Sequence, residues 1–264
     1  MIVDGKKIAA DILAELKSTL RAEKLRPHLT VFTCAPNFET QRFLTIKKKR
    51  ATEVGIDINV IELLDIVTTE DVIASIRGFV DHTNGIVVQL PFPKHIDIEQ
   101  VIEAIPTSHD ADALKKETKI LPPVVGAIAE IFARHGVVVM GKKIVVVGGG
   151  KLVGAPAANW CTERGGDVTV VTEAESKNLS EHTKDADILI LGAGKPGLIT
   201  PEHIKESVII ADAGTSEEAG ELRGDADSAC AQKAALFTPV PGGIGPVTIA
   251  VLLRNLVELT RSGV

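Results

Sequence analysis

The chain has 264 residues, 45% hydrophobic and 24% charged, which is enough for two globular domains with sizeable cores. Its formal net charge of -6 gives no basic excess of the kind that nucleic-acid or membrane partners attract, and no apolar run is long enough to span a bilayer. Three widely spaced cysteines do not fit a disulfide framework, the histidines do not cluster at metal-ligand spacing, and no signal-peptide core follows Met1, so a cytoplasmic protein without a metal is predicted.

The first part of the chain alternates between helical and strand patterns. A helix is predicted to begin at Asp4, because Ile8, Ile12 and Leu16 recur on one face. Strands are predicted for LTVFTC (29–34), IDINVIELL (56–64) and GIVVQLP (85–91), with one helix near 39–54 and another that opens at Thr69. An irregular stretch from 91 to 123 follows. Such alternation indicates βαβ units on a mostly parallel sheet.

The second part is organised around IVVVGGGKLVGAP, residues 144–156. A β-branched run typical of a buried strand leads into Gly148, Gly150 and Gly154 and then into a helix. Such a turn aims backbone N–H groups at an anion such as a pyrophosphate, although the G-x-G-x-x-x-G spacing departs from the standard fingerprint. The next strand ends at Glu173, where a ribose-binding acid is expected, which favours a dinucleotide site over a bare turn.

Two further strand patterns, DILILGAG and SVIIADAG, continue this second sheet, and a helix from residue 249 closes the chain. The sequence therefore predicts an α/β protein with two α/β domains and a cleft between them. We predict one domain at residues 1–120 together with the closing segment 243–264. A Rossmann-like NAD(P)-binding domain is predicted at 121–242.

Lys47 is the first candidate for chemistry. It lies in a run of four basic residues, which is usually a solvated face. On a helical wheel, however, Lys47 falls near ~40°, inside an apolar arc that runs from Phe43 at zero to Leu44 near ~100°. An inward lysine needs a partner, and desolvation would make its neutral amine accessible. The alternative, a lysine that reaches solvent at the rim of the apolar face, is equally compatible with the periodicity.

Polar residues next to two other segments are further candidates. Gln89 ends a predicted parallel strand, at the edge where ligands of open α/β sheets bind, and its amide could pair with a lysine or with loop backbone. Asp110 and Asp112 could be turn formers, or one of them could accept paired N–H bonds from an amino-heterocycle. The segment PVPGGIGPVT (239–248) has more prolines and glycines than a simple turn needs, and it is predicted to contact a ligand.

Taken in order, these segments resemble the methylenetetrahydrofolate dehydrogenase/cyclohydrolase family of the FolD type almost end to end. FLTIKKKRATEVGI resembles the family's Y-x-x-x-K-x-K helix, VVQLPFP its V-Q-L-P-L-P segment, and HDADAL its K-D-V-D-G-L segment. ADAGTS resembles the D-x-G-I-N segment, and VVVGGGKLVGAP the family's glycine turn. PVPGGIGPVT matches P-V-P-G-G-V-G-P-M-T almost letter for letter, and this motif is long and specific.

The resemblance implies a folate-dependent oxidoreductase that is also a hydrolase. A hydride would pass from the methylene carbon of 5,10-methylenetetrahydrofolate to the nicotinamide, and water would convert the methenyl product to 10-formyltetrahydrofolate. Lys47 would assist the water step, Gln89 would position Lys47, and Asp112 would bind the pterin amino groups. Phe43, Pro241, Gly242 and Gly243 are the other expected substrate contacts. A homodimer is implied as well.

The resemblance also implies a cofactor site. The expected contacts are Gly148, Gly149, Gly150, Lys151, Leu152, Glu173, Gly192, Ala193, Gly194, Gly214, Thr215 and Thr248. Gly149 and Gly150 stand where the family has an Arg-Ser pair that would hold a 2′-phosphate, and the carboxylate of Glu173 would repel one. Lys151 is the only cation nearby in the sequence, so NAD is predicted over NADP.

Departures from the family pattern keep two other functions in view. Phe43 lacks the family's tyrosine hydroxyl, Ala113 replaces a glycine after Asp112, and LPPV (121–124) stands where the family has P-x-T-P. These changes keep open a relative that is a dehydrogenase only, or an NAD-dependent dehydrogenase of another small substrate. Retention of Lys47, Gln89 and Asp112 argues against a non-enzymatic nucleotide-binding protein on the same scaffold.

Overall fold

The structure is a computed structural model that describes residues 1–115, 117–172, 178–218 and 220–262, apart from the side chains of residues 38 and 39. The chain divides into two compact units. We call them the three-stranded unit, Ala10–Pro123 with the chain from Ile249 onward, and the five-stranded unit, Met1–Ala9 with Val124–Thr248. The predicted domains differ from these units in where they place residues 1–9, 121–123 and 243–248.

The three-stranded unit is built on a parallel sheet in the order β2-β1-β3. Its strands are β1 (His28–Cys34), β2 (Asp57–Leu63) and β3 (Gly85–Val88), and its helices are α2 (Phe38–Val54), α3 (Thr69–Phe79) and α4 (Ile98–Glu103). The central strand β1 is almost entirely buried, and Phe32 on it meets Phe79 edge-on at 5.8 Å between ring centroids. Helix α4 lies in the stretch that we predicted to be irregular. It was missed because six residues are too few to show a clear helical period.

Local signals set the ends of the helices in this unit. The side chain of Asn37 accepts the N–H of Thr40 at 2.8 Å and so caps α2, the helix that carries Lys47. Helix α3 begins with a capping box between Thr68 and Asp71. Helix α3 therefore begins at Thr69, as predicted, and Thr68 is the residue that caps it.

The five-stranded unit contains a parallel sheet in the order β10-β7-β6-β4-β5. Its strands are β4 (Lys143–Val147), β5 (Asp167–Val171), β6 (Ile188–Leu191), β7 (Ile209–Asp212) and β10 (Leu236–Phe237), and β8 (Ser216–Glu218) pairs with β9 (Glu221–Arg223) as an antiparallel hairpin. Helix α5 (Pro123–Arg134) precedes β4, while α6 (Gly154–Glu163) connects β4 to β5 and α7 (Leu179–Thr183) lies between β5 and β6. Four of these strands were predicted from the sequence; β10 and the hairpin were missed because their strands are only two and three residues long.

The first and last helices are α1 (Gly5–Glu23) and α8 (Ile244–Ser262). Asp4 accepts the N–H of Lys7 at 3.0 Å, which agrees with its predicted place at the start of α1. Helix α8 begins five residues before the predicted residue 249, and Pro246 lies in its first turn, where its missing N–H costs nothing. Within the described ranges, none of the helices is both long and apolar enough to cross a bilayer.

Candidate active site

A buried lysine forms the centre of the candidate site in the three-stranded unit. Lys47 is only 7% exposed, whereas Lys48, Lys49 and Arg50 on the same helix are exposed. Its Nζ donates a hydrogen bond to Oε1 of Gln89 at 2.9 Å. Gln89 directly follows β3, so a helix and a strand bring the two side chains together. This geometry favours the inward-facing lysine over the alternative in which the side chain reaches solvent.

Electrostatics couple Lys47 to a carboxyl group. Burial lowers the pKa of Lys47, and the nearby charge of Asp112 opposes that shift. Burial raises the pKa of Asp112 to about 6; the charge of Lys47 lowers it, and the charge of Asp110 raises it. Each group therefore stabilises the charged form of the other within a poorly solvated environment. A lowered pKa makes the neutral amine of Lys47 more accessible, as a base catalyst requires.

The two neighbouring acids have different environments. Asp110 is fully buried, and its Oδ2 accepts hydrogen bonds from the backbone N–H of Lys115 at 2.9 Å and from Oγ1 of Thr118 at 3.1 Å. Asp110 thus holds the loop that follows it. Ala113 has a φ of 51°, in the left-handed region that favours glycine, which accounts for the glycine in the family pattern. Of the two acids, Asp112 is the one coupled to Lys47.

Phe43 lies one helical turn before Lys47 on α2 and is half-buried. Residues four apart on a helix lie on the same face, so the ring and the amine are neighbours on one side of α2. The phenyl ring has no hydroxyl group, and its chemical role here is limited to apolar and stacking contacts.

In the five-stranded unit, three predicted cofactor-binding segments lie at one edge of the sheet. We call them loop A (148–152, after β4), loop B (192–194, after β6) and loop C (214–215, after β7). Strands β4, β6 and β7 are adjacent and parallel, so their carboxyl ends lie together. Ligands of open α/β sheets bind outside this edge.

The glycines of loop A have two different reasons to be glycine. Gly148 has a φ of 99°, and a Cβ placed on Gly154 would collide with the carbonyl oxygen of Gly148. These two residues let α6 begin directly against the end of β4. By contrast, Gly150 has open space around its Cα, and both Gly149 and Gly150 are exposed. A backbone that is exposed and free of side chains fits close approach by a dinucleotide phosphate.

We expect Gly154→Ala to destabilise the protein by about 1–3 kcal/mol, because the added methyl group overlaps a backbone oxygen that cannot rotate away. Gly150→Ala is the matched control in the same loop and should leave the melting temperature nearly unchanged. Thermal unfolding monitored by circular dichroism compares the two variants. Equal melting temperatures for Gly154→Ala and wild type would contradict this packing.

The remaining predicted residues have mixed placements. The segment before α8, which contains Pro241, Gly242 and Gly243, lies in the five-stranded unit. Gly243 packs closely on Gly5, so that a Cβ on Gly5 would overlap the carbonyl oxygen of Gly243. Thr248 donates its hydroxyl to the carbonyl of Ile244 at 3.1 Å, within the same helix. Lys151, Leu152 and Thr215 are exposed. Glu173 lies outside the described residues.

One residue that the sequence analysis missed organises loop B. The buried carboxylate of Asp225 accepts the N–H groups of Ala193 and Gly194, at 2.6 and 3.2 Å. These two amides are therefore engaged within the protein. The only sequence signal was the Gly224-Asp225 dipeptide, which by itself does not differ from an ordinary turn.

One unit carries a parallel sheet with a glycine turn, and the other carries a buried lysine with a glutamine and an aspartate beside it. Together they are typical of a two-domain α/β enzyme that depends on a dinucleotide. Residues 3–112 match the family model for the catalytic domain of tetrahydrofolate dehydrogenase/cyclohydrolase, and residues 122–263 match the model for its NAD(P)-binding domain. The chain therefore belongs to the tetrahydrofolate dehydrogenase/cyclohydrolase family. The resemblance found in the sequence and the predicted α/β fold class are confirmed.

Individual relatives match over nearly their whole length. The bifunctional protein FolD of Halothermothrix orenii is 38% identical, with 98% of each chain covered. The solved bifunctional FolD of Campylobacter jejuni is 32% identical with a TM-score of 0.94, covering 100% of this chain and 99% of that one. The FolD of Trypanosoma brucei, solved with NADP and an inhibitor, is 31% identical with a TM-score of 0.93, covering 100% of this chain and 98% of that one.

Proposed function

We propose that the protein oxidises 5,10-methylenetetrahydrofolate to the methenyl form with NAD(P) and hydrolyses that product to 10-formyltetrahydrofolate. Membership of the family supports both steps. The hydrogen bond of 2.9 Å between the buried Lys47 and Gln89 carries the assignment of the hydrolytic step to this chain's own residues.

Lys47 is the proposed proton acceptor for the water that attacks the methenyl carbon. Burial lowers its pKa, so a neutral amine is accessible. Gln89 accepts a hydrogen bond from Nζ and so fixes the direction of the amine. As the water oxygen bonds to the methenyl carbon, one water proton passes to the lysine nitrogen. The bond from that carbon to N5 then breaks, N5 keeps the electron pair and takes up the remaining hydroxyl proton, and the carbon becomes the formyl group on N10.

Asp112 and Phe43 are the proposed folate contacts in the three-stranded unit. A carboxylate can accept two N–H bonds from the amino-pyrimidine part of a pterin, which gives both affinity and orientation. The ring of Phe43 can stack on the pterin face, and the missing hydroxyl does not affect that contact. Pro241, Gly242 and Gly243 remain proposed substrate contacts on the resemblance alone.

Loops A, B and C are the proposed dinucleotide contacts. The exposed, side-chain-free backbone at Gly149 and Gly150 is the proposed seat of the pyrophosphate. When bound, the nicotinamide accepts the hydride that leaves the one-carbon unit of the folate. The family model describes the domain as NAD(P)-binding, which leaves the choice between the two cofactors to the residues of this chain.

The test is the absorbance of purified protein mixed with 5,10-methylenetetrahydrofolate and either NAD or NADP. We expect reduced cofactor to form and 10-formyltetrahydrofolate to follow. If methenyltetrahydrofolate accumulates and then disappears no faster than it does by uncatalysed hydrolysis, the result would favour the alternative, a dehydrogenase without cyclohydrolase activity. No reduction of either cofactor would refute the proposal.

We predict that NAD is preferred over NADP. Gly149 and Gly150 offer no side-chain cation to a 2′-phosphate, and the predicted role of Glu173 is to accept a hydrogen bond from the 2′-hydroxyl. The measurement is the ratio of kcat/KM for the two cofactors with methylenetetrahydrofolate. A preference for NADP of about tenfold or more, which corresponds to ~1.4 kcal/mol, would contradict the prediction and point to Lys151 as the phosphate-binding cation.

The proposal includes a homodimer, which rests on the family resemblance alone. Light scattering of the purified protein measures the mass directly, and a mass equal to that of one chain would contradict this part of the proposal.

A further inference from the structure

Two buried acids in the five-stranded unit have no part in the proposed chemistry. Asp212 ends strand β7 and is 1% exposed, and Asp225 follows strand β9 and is 0% exposed. Charged side chains are rarely buried this completely unless they have dedicated partners. Both lie at the sheet edge that carries loops B and C.

The carboxylate of Asp225 is surrounded by consecutive backbone donors of one loop. Its Oδ2 accepts the N–H groups of Ala193 and Gly194 at 2.6 and 3.2 Å, and its Oδ1 accepts that of Lys195 at 2.7 Å. Successive N–H groups that converge in this way form a concave anion-binding nest. Here the protein's own carboxylate fills the nest.

Asp212 makes a second set of backbone contacts. Its Oδ1 accepts the N–H of Gly214 at 2.9 Å and that of Asp225 at 3.2 Å, while its Oδ2 accepts that of Ala226 at 2.8 Å. Asp212 thereby fixes both loop C and the segment that presents Asp225. The two acids connect three separate segments of the chain.

Two glycines make room for these carboxylates in a reciprocal way. A Cβ on Gly214 would overlap the carboxylate of Asp225, and a Cβ on Gly224 would overlap Oδ2 of Asp212. Each acid therefore packs against the glycine that neighbours the other acid. We call these four residues, Asp212, Gly214, Gly224 and Asp225, the acid clasp.

The hydrogen bonds oppose the cost of burial. Burial raises the pKa of Asp225 and raises that of Asp212 to about 7, whereas the backbone N–H groups act in the opposite direction on both. A carboxylate that accepts two or three backbone N–H bonds is stabilised in its charged form. Replacement by a neutral amide would turn an NH₂ group toward donors and break the arrangement.

We propose that Asp225 is a positioning residue for the dinucleotide: it holds loop B in its binding shape and, by filling the nest, directs the phosphates away from that loop. The inference rests on the proposed function, in which loop B contacts the cofactor. The N–H groups of loop B are engaged within the protein, so its backbone can offer a dinucleotide carbonyl oxygens but not amide donors. It therefore suits a neutral, hydrogen-bond-donating part of the dinucleotide, such as a ribose hydroxyl or the carboxamide.

The test compares two activities of Asp225→Asn in the full-length protein. The hydrolysis of methenyltetrahydrofolate needs no dinucleotide, so a positioning role predicts a KM for NAD or NADP raised by about tenfold or more, with hydrolysis within about twofold of wild type. Asp227→Asn is the matched control, because Asp227 is exposed and caps a different turn through the N–H of Ala229 at 2.8 Å. It should leave both activities unchanged.

Direct binding separates this inference from the proposed function. Fluorescence titration with NADH and NADPH measures dinucleotide affinity even if the wild type shows neither activity. Weaker binding by Asp225→Asn would then still support the positioning role of Asp225. Unchanged dinucleotide affinity in a folded variant would overturn it, and so would equal losses in both activities, which indicate a purely structural role.

A milder variant decides the matter if Asp225→Asn does not fold. Ser216 donates its hydroxyl to the carbonyl of Gly194 at 2.9 Å and so restrains loop B through a second contact. Ser216→Ala should raise the KM for the dinucleotide by about threefold and leave hydrolysis unchanged. No change in that KM would count against loop B as a cofactor contact and overturn the inference.

Discussion

We expect Lys47→Met to reduce the hydrolysis of methenyltetrahydrofolate by ~10²- to 10⁴-fold, the usual cost of losing a positioned acid or base. Methionine has nearly the length of lysine and carries no charge, so it can occupy the same buried path on α2. It also removes the desolvation cost of the amine, because an apolar side chain is buried without a charge to pair. The fold should therefore remain intact. The measurement is the decay of methenyltetrahydrofolate absorbance in the presence of the variant.

Lys48→Met is the matched control for this variant. Lys48 is the next residue on the same helix, and it is exposed. Its replacement should leave hydrolysis within about twofold of wild type, since surface substitutions rarely perturb a distant site. Unchanged hydrolysis by Lys47→Met would refute the assignment of the proton acceptor, whereas equal losses in both variants would indicate a general effect of charge on α2.

We expect Asp112→Asn to weaken folate binding by about 10- to 100-fold while leaving dinucleotide affinity unchanged. A carboxylate can accept two N–H bonds from an amino-pyrimidine, but an amide offers one acceptor oxygen and presents an NH₂ group to the other donor. The loss is larger for a charged acceptor in a poorly solvated environment. Calorimetric titration with folate and with NADH measures both affinities on the same sample.

The pH dependence provides a second test of Asp112. Burial raises its pKa to about 6, so the carboxylate gains a proton as the pH falls through this value. Folate affinity in wild type should therefore fall below this pH, and this component of the pH dependence should be absent in Asp112→Asn. Asp81→Asn, at an exposed position in the same unit, is the control. If Asp112→Asn weakened the binding of folate and of NADH equally, Asp112 would have a structural role rather than a role in folate binding.

Much of the fold was predictable because its signals are local. The alternation of helices and strands, the glycine turn after β4 and the start of α1 at Asp4 all depend on residues within a few positions of each other. The short elements were missed for the same reason. A two-residue strand such as β10, or the hairpin of β8 and β9, exists only because neighbouring strands supply its partners.

The candidate site was predictable to a lesser degree. Helical periodicity placed Lys47 within an apolar arc of α2 and left open whether its side chain reaches solvent at the rim; the structure finds it buried. Periodicity could not identify the partner of Lys47, nor could it decide which of Asp110 and Asp112 holds the loop. Those answers depend on hydrogen bonds and charges between segments that are far apart in the chain.

By itself, the sequence determined the α/β class and the glycine turn, because each follows from residues close together in the chain. It placed Lys47 in an apolar arc of α2, but only the structure decided that the side chain is buried. Only the tertiary structure decided that Gln89 pairs with Lys47 and that Asp225 fills the nest of loop B. The partners in these contacts are 42 and 32 residues apart. A buried amide or carboxylate takes whichever donors the packed chain brings within reach, and no local pattern encodes that choice.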